Sequence, residues 1–476
     1  MQFASLTFFS FFVATLTISW LTQGNVRKMV LVVASYLFYL QIGIAPLVLL
    51  IMSTSFNYLC GNGIRLGSRK NAGRWLMAGV GFNIGLLFVY KYSIFFRASA
   101  ENLAIFLGTE VHLGILEMLL PVGISFYTFQ AISYLVDIFR GHGPHAKSFL
   151  DFALFQNFFP QILIGPICRS SDLLPQIENM SPLKIHNQSE AVLLIVSGLW
   201  KKVILATLLH EYGVADSFAE PERYSTLALW LAMIGYSMQL YCDFSGYTDM
   251  ARGFSLLMGF QLPRNFQQPY SATNLGDFWK RWHITFSQWL RDYIYIPLGG
   301  SKNTAHRTSL NLFITFAICG FWHGATWGFV IWGCMHGIGL ALHKRHRDQR
   351  RAKGLSPVET TAFEIATGWL YTFMFVCLSR VVFQTSDLSS SLVFYSRLFI
   401  PSIGQGVSWL IVPCILLALQ LHFWTPFDDM LDTIENHKKD FPIQKQSFVI
   451  ASIILLISFI LLLRPSGIPP YLYFRF

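Results

Sequence analysis

Charge is what this sequence has least of. Asp, Glu, Lys and Arg supply 13% of its 476 residues, about half the ~25% of an ordinary soluble domain. A soluble chain of this size cannot cover its surface with so few. With 53% hydrophobic residues and a mean hydropathy of +0.47, the deficit excludes secreted, fibrous and disordered classes and leaves an all-α polytopic membrane protein. Cysteine pairing is missing too. Cys60, Cys168, Cys242, Cys319, Cys334, Cys377 and Cys414 include no C-x-x-C, and most lie in apolar runs. They read as small hydrophobes, with no disulfide framework or zinc site implied. Neither G-x-x-x-x-G-K-[ST] nor G-x-G-x-x-G occurs, so a nucleotide fold is unsupported, and there is no G-x-S-x-G nucleophile elbow. No basic run is interleaved with stacking aromatics in a polar segment, which argues against nucleic acid as a partner. Residues 3–21 have no basic stretch before them and no A-x-A-like site after them. They are expected to be a retained span rather than a cleaved signal peptide.

What the sequence does have is long apolar runs and aromatics. Its 44 Phe and 13 Trp suit lipid-facing and interfacial surfaces. A span takes roughly 17–25 apolar residues. Candidate runs are 3–21, 75–96, 114–139, 191–209, 226–244, 309–319, 327–342, 361–383, 407–421 and 448–463. The run 309–319 is too short to cross alone and is expected to continue into the next segment. The run 29–60 is too long for one span, and Gly43 to Pro46 should turn it into a pair. Residues 151–168 are apolar but interrupted by Gln156, Asn157, Pro160, Gln161 and Pro166, which fits a buried, broken or re-entrant helix. This gives roughly 11–13 membrane-embedded helices in a single integral membrane domain over 1–476, with no visible internal repeat.

The formal charge is +10, and its placement predicts orientation. Arg27 and Lys28 after the first run put the N-terminus outside. Arg65, Arg69, Lys70 and Arg74, then Arg140 and Lys147, mark further inside loops. The strongest cluster, Lys344, Arg345, Arg347, Arg350, Arg351 and Lys353, puts the C-terminal end of 327–342 in the cytoplasm. The same clusters attract anionic membrane lipids.

Between Gln261 and Arg307 the chain turns polar, yet aromatics run through it. Phe278, Trp282, Phe286, Trp289 and Tyr293 recur at helical spacing, while Lys280, Arg281, Ser287 and Arg291 fall elsewhere on the wheel. An amphipathic helix at the cytoplasmic interface is expected, stopped by Pro297, Gly299 and Gly300.

Among thirteen histidines, location selects His323. It lies between two apolar runs, in a segment where Gly320, Gly324 and Gly328 recur every four residues. On one helix these would form a stripe allowing close backbone approach. An ionisable residue at that depth usually faces protein or a water-filled cavity. His323 is therefore either a hydrogen-bonded packing histidine or a general base kept neutral by desolvation. His283, among the aromatics, is either an ordinary interfacial histidine or a second polar group of the site. Asp243 and Asp249 bracket Phe-Ser-Gly-Tyr-Thr and are expected to be structural. Arg291 and Asp292 are expected to pair locally. His142 and His145 lack a third ligand, so no metal is expected. His336, thirteen residues on, would not share a helix face with His323.

Phe278-Trp-Lys-Arg-Trp-His283 followed some forty residues later by Phe321-Trp-His323-Gly resembles the membrane-bound O-acyltransferase (MBOAT) superfamily, and within it the bacterial alginate O-acetyltransferase branch. Pro121-Val-Gly-Ile-Ser-Phe-Tyr-Thr-Phe-Gln130, Phe158-Phe-Pro-Gln161 with Gly165-Pro166, and Asp243-Phe-Ser-Gly-Tyr-Thr-Asp249 support it. Pro263-Arg-Asn-Phe266 with Pro269-Tyr270, and Tyr295-Ile-Pro-Leu-Gly-Gly300, continue it in the family's order. The resemblance covers roughly residues 35–339, with further spans across 361–463.

It implies a multi-helix funnel, including re-entrant or interfacial helices, around a signature histidine that maps to His323, with His283 at the second polar position. It implies acetyl-CoA as a cytoplasmic acyl donor, with no permanently bound cofactor. The acceptor would be hydroxyls of an extracytoplasmic polysaccharide, alginate or a similar exopolysaccharide. A periplasmic or membrane-anchored SGNH-type acetyltransferase and polysaccharide synthesis or secretion machinery are the implied partners, and the bacterial inner membrane the implied location. Lys280, Arg281 and Arg291 would then meet the donor's phosphates, or simply anchor at the lipid interface. His323 would act as base or as nucleophile. Peptidoglycan or cellulose O-acetylation, D-alanylation of teichoic acid, an acyl or anion transporter with His323 as proton relay, and a non-catalytic scaffold stay open as alternatives.

Overall fold

The computed structural model describes residues 3, 5–109, 120–180, 188–302, 304–356, 361–385 and 387–423. The described residues are helical, and β pairing among them is limited to a single bridge between Tyr224 and Gln405. They fall into two compact units. Among the described residues, one comprises those up to 195 together with 250–263, the other 196–249 and those from 264 to 423.

In the first unit, α1 (Leu6–Leu21) opens on Ser5, whose hydroxyl accepts the Phe8 amide at 3.1 Å. The long run splits where Gly43 and Pro46 predict, into α2 (Gly24–Leu40) and α3 (Ile44–Leu66), with Gly43 at φ 148°. Then come α4 (Arg69–Phe106), α5 (Ile124–Arg140), α6 (Phe149–Asn157) and α7 (Ser170–Glu178). α5 accounts for the later part of the run 114–139, and residues 110–119 lie outside the described chain. Gly123 starts α5 at φ 84°, where a Cβ would meet the Ile162 carbonyl at 2.6 Å, so only glycine fits.

Residues 151–168 are all buried, and the helix breaks after Asn157 as the interruptions predict. Non-helical backbone survives in such surroundings when protein groups satisfy it. Here the Phe155 carbonyl accepts from Gln130 and Gln161 (2.8 and 2.7 Å), and the Ser35 hydroxyl takes the Phe159 amide at 3.1 Å. Arg27 and Lys28 depart from expectation. They lie inside α2, 4% and 8% exposed, rather than in a solvated loop. Arg27 donates to the Met258 carbonyl at 2.7 Å and Lys28 pairs with Asp151 at 2.5 Å.

The second unit takes up two helices that begin or end in the first, α8 (Gln188–Ala219) and α9 (Thr226–Leu257). α10 (Leu275–Arg281), α11 (Ile284–Leu290), α12 (Ala305–His323), α13 (Trp327–Ala352), α14 (Ala362–Gln384), α15 (Leu388–Phe399) and α16 (Ile411–Phe423) complete it. The Asp-Phe-Ser-Gly-Tyr-Thr-Asp motif is structural, as expected. Asp243 pairs with Lys202 and Asp249 with Lys201 (2.8 Å), joining α9 to α8. Gly246 lies between the two pairs, where a Cβ would come 2.7 Å from the Gly198 carbonyl.

Two expectations about local structure fail. The helix across 278–293 is broken at Trp282 and His283 into α10 and α11 and ends in a π turn, Arg291–Tyr295. Nor do Gly320, Gly324 and Gly328 share a helix. α12 stops at His323 because Gly324 turns extended (φ −165°, ψ 152°), and α13 folds back as an antiparallel partner. The small-residue seam is Gly320 against Gly333, with Gly337 against the backbone of Phe313. A Cβ on Gly320 would lie 2.2 Å from the Phe329 carbonyl, and one on Gly333 2.2 Å from that of Phe316.

Among the described residues, four helices are long and apolar enough to cross a membrane: α3, α4, α8 and α14. α1 and residues 411–420 are apolar but shorter. The run 448–463 lies outside the described residues.

Candidate active site

His323 ends α12, whose first turn is held by the Thr304 hydroxyl on the Arg307 amide at 3.4 Å. It is 4% exposed, and aromatic rings stand around it. The centroids of Trp322, Trp332, Phe383 and Phe286 lie 4.8, 5.0, 5.3 and 5.8 Å from that of its imidazole, all steeply inclined to it. Helix ends carry carbonyls without intrahelical donors. A positive charge formed on His323 therefore faces the negative end of the α12 dipole.

One wall of the ring opens on a small cavity, with free space for little more than a water molecule. The sequence bends four elements around it. α9 supplies Leu240, the end of α10 Phe278 and Trp282, α13 Trp332 and His336, and α14 Val376, Arg380 and Phe383.

His336 lies on a different helix from His323 and shares no face with it, as expected from their spacing, but the tight turn after His323 brings both to the same cavity, each packed against Trp332. His336 is committed on both ring nitrogens. The Trp279 indole can only donate, and it does so to Nδ1 at 3.2 Å. Nε2 therefore carries the proton and donates to the Ser379 hydroxyl at 3.0 Å, which donates to the Val376 carbonyl at 2.9 Å. This assignment follows from the network. His336 has no lone pair to offer a substrate.

His283 sits elsewhere. It is fully buried, with a left-handed backbone (φ 44°) that is uncommon outside glycine. Asn265 holds that break. Its Oδ1 accepts from the Thr285 amide (3.2 Å) and hydroxyl (3.0 Å) and lies 3.2 Å from His283 Nδ1, while its carbonyl takes the Ile284 amide at 2.9 Å. Because Oδ1 is fixed as an acceptor, Nδ1 is the donor and Nε2 bears the lone pair. His283 does not line the cavity. Phe286 and Trp322, stacked at 4.2 Å, form the layer between it and His323.

The three basic residues expected near donor phosphates also lie off the cavity. Arg281 pairs with Asp277 at 2.8 Å, Arg291 with Asp292 at 2.7 Å, and Lys280 is exposed on α10. Among the described residues no three His, Cys, Asp or Glu side chains gather as metal ligands.

Sequence reasoning missed Arg380, His336, Trp282 and Asn265. For Arg380 the signal existed: a charge deep in the apolar run 361–383 is a functional candidate by default. For the other three it did not, since each depends on a turn that pattern alone did not locate.

Fold and site together define a helical membrane protein with a buried, histidine-lined cavity. The family model for the membrane-bound O-acyltransferases matches residues 140–385, which include every residue lining that cavity. The chain is 37% identical over 404 residues to the "Probable alginate O-acetylase AlgI" of Pseudomonas putida, across 84% of this chain and 80% of that protein. The Pseudomonas aeruginosa protein of the same name is 36% identical over 404 residues, across 84% and 75%. A "Peptidoglycan O-acetyltransferase" of Helicobacter pylori is 37% identical over 394 residues, across 77% and 72%. The chain belongs to the membrane-bound O-acyltransferase family and is an acyltransferase.

Proposed function

We propose that this protein moves an acetyl group from cytoplasmic acetyl-CoA toward hydroxyls of an extracytoplasmic polysaccharide, through a periplasmic or membrane-anchored SGNH-type partner in the bacterial inner membrane. The observation that carries the reading is His323, a histidine buried in an aromatic ring at the edge of a cavity. A thioester is already activated and its thiolate leaves readily. The site must chiefly supply a base for the attacking hydroxyl, typically worth about 10²–10⁴-fold. His336, with both nitrogens engaged, fixes the walls, and His283 supports the chamber from behind the Phe286–Trp322 layer. Lys280, Arg281 and Arg291, outside the cavity, would meet the donor's phosphates or the lipid surface.

An alginate-like exopolysaccharide is the favoured acceptor, because the relatives named for alginate match over the greater share of this chain (84% against 77%). Peptidoglycan is the second reading, favoured by a relative of the same 37% identity. The test is turnover of labelled acetyl-CoA in proteoliposomes, with and without the partner, for wild type and His323→Ala at matched folding. Loss in the variant alone supports the reading. Equal turnover in both removes His323 from the chemistry.

A further inference from the structure

Among the described residues that line the cavity, Arg380 is the one fixed cation, and the reaction as described leaves it without a task. It lies on α14, which is long and apolar enough to cross a membrane, and is 3% exposed. Charges at such depth are costly and mark functional sites. Buried arginines ordinarily meet a carboxylate, yet among the described residues none lies within ion-pair distance of this one.

Neutral groups hold it instead. Nη1 donates to the Ser237 carbonyl at 3.1 Å and to the Tyr270 hydroxyl, whose own proton goes to that same carbonyl. The guanidinium carbon lies 4.5 Å from the centroid of Trp282 and 5.3 Å from that of Tyr270. Two aromatic faces and one carbonyl fix the plane of the group and leave its charge un-neutralised. An arginine has five N–H donors. The bonds above use Nη1 alone, and Nε and Nη2 make none to a described residue. The same side chain lines the cavity beside His323.

We propose that the Arg380 guanidinium is the group that stabilises the oxyanion of the acyl transfer. This rests on the acyltransfer reading above. As the hydroxyl oxygen bonds to the thioester carbon, its proton passes to His323 and the carbonyl π pair moves onto oxygen, where the charge meets Arg380. On collapse that pair re-forms the carbonyl. The carbon–sulfur bond breaks, and the thiolate leaves with the bonding electrons and takes the proton back from His323. Arg380 exchanges no proton, since arginine stays charged. One fixed cation in a small, aromatic-walled space matches a single transient charge better than a diphosphate, which carries several. A fixed donor in a water-excluded site acts far more strongly than in water, and losing one typically lowers kcat by about 10²–10³-fold.

The experiment compares wild type, His323→Ala, Arg380→Gln, Arg380→Lys and Tyr270→Phe in proteoliposomes with labelled acetyl-CoA and partner, alongside thermal unfolding of each. Arg380→Gln should lower kcat by about 10²–10³-fold with the donor KM little changed, and Arg380→Lys should recover part of it. Tyr270→Phe, which keeps the charge and removes one of its supports, should lose far less. Wild-type kcat in Arg380→Gln overturns the inference. So does a raised KM at constant kcat, which would mark a phosphate anchor, or a loss that Tyr270→Phe reproduces in step with unfolding. Should Arg380→Gln fail to fold, Arg380→Lys decides by the same kcat-against-KM criterion. Retained turnover in Arg380→Gln beside a dead His323→Ala overturns the inference alone, whereas no turnover by wild type removes the acyltransfer reading and the inference together.

Discussion

Two histidines share the chamber, and their hydrogen bonds separate their roles. His336 accepts from Trp279 and donates to Ser379, so replacing it leaves a buried indole N–H without a partner. A buried group stranded in that way costs about 1–3 kcal/mol. His336→Ala should therefore lower the unfolding temperature in detergent while activity per folded molecule falls less than in His323→Ala. His323→Ala should show the opposite balance, a loss of about 10²–10⁴-fold in turnover with little change in unfolding. Interchanged behaviour would reverse the two assignments. Asn265 is a third residue whose importance comes from geometry. Its one oxygen serves the Thr285 amide, the Thr285 hydroxyl and the His283 ring. Asn265→Leu should destabilise by about 1–3 kcal/mol per stranded donor, and Asn265→Asp, which keeps an acceptor oxygen, by less.

At the scale of elements, close backbone approach positions His323. Gly333 faces the Phe316 carbonyl where a Cβ would stand at 2.2 Å, whereas Gly81, inside α4, has nothing within 4 Å of its Cβ position. Gly333→Ala should push α12 and α13 apart and destabilise by at least about 1–3 kcal/mol. Gly81→Ala should be neutral or stabilising by up to about 1 kcal/mol, and equal effects in thermal unfolding would sink the account of the seam. The buried pair Lys202–Asp243, 2% and 3% exposed at its side chains, makes a second comparison. Lys202→Met alone should cost about 3–5 kcal/mol by stranding Asp243, and the double change Lys202→Met with Asp243→Leu much less.

These elements also show what the sequence made legible. Gly43 and Pro46 placed the turn between α2 and α3, because a positive φ and a missing amide act locally. The polar interruptions of 151–168 announced a buried broken segment. His323 stood out because a titratable ring between apolar runs is costly. The break at His283 was invisible, since Asn265, eighteen residues earlier, imposes it against an unbroken aromatic period. The turn at Gly324 was masked by a four-residue glycine repeat that mimics one helix face, and with it went the placing of His336 and His323 on one cavity. Arg27 and Lys28 looked like loop charges because their partners, Met258 and Asp151, lie far along the chain.

For the molecule as a whole, the side of the membrane that the basic end of α13 faces decides how the donor reaches His323. From Trp332, on the cavity, to Lys344, where the cluster begins, is twelve residues, or about 18 Å of helix. If the cluster marks the cytoplasmic surface, the cavity lies near the middle of a hydrocarbon core about 30 Å thick. A chamber at that depth can be approached by a donor from one side and an acceptor from the other, as transfer to an extracytoplasmic glycan requires. The native thiols make this measurable. Cys60, Cys168, Cys242, Cys319, Cys377 and Cys414 are buried, and Cys334 is partly so, while Lys353 is exposed. In a Cys334→Ala background, Lys353→Cys should resist an impermeant maleimide in intact spheroplasts and react once the membrane is opened. Labelling before opening would turn the basic end outward. The donor would then need another route to His323, and the cytoplasmic acetyl-CoA of the proposed reaction could not be retained.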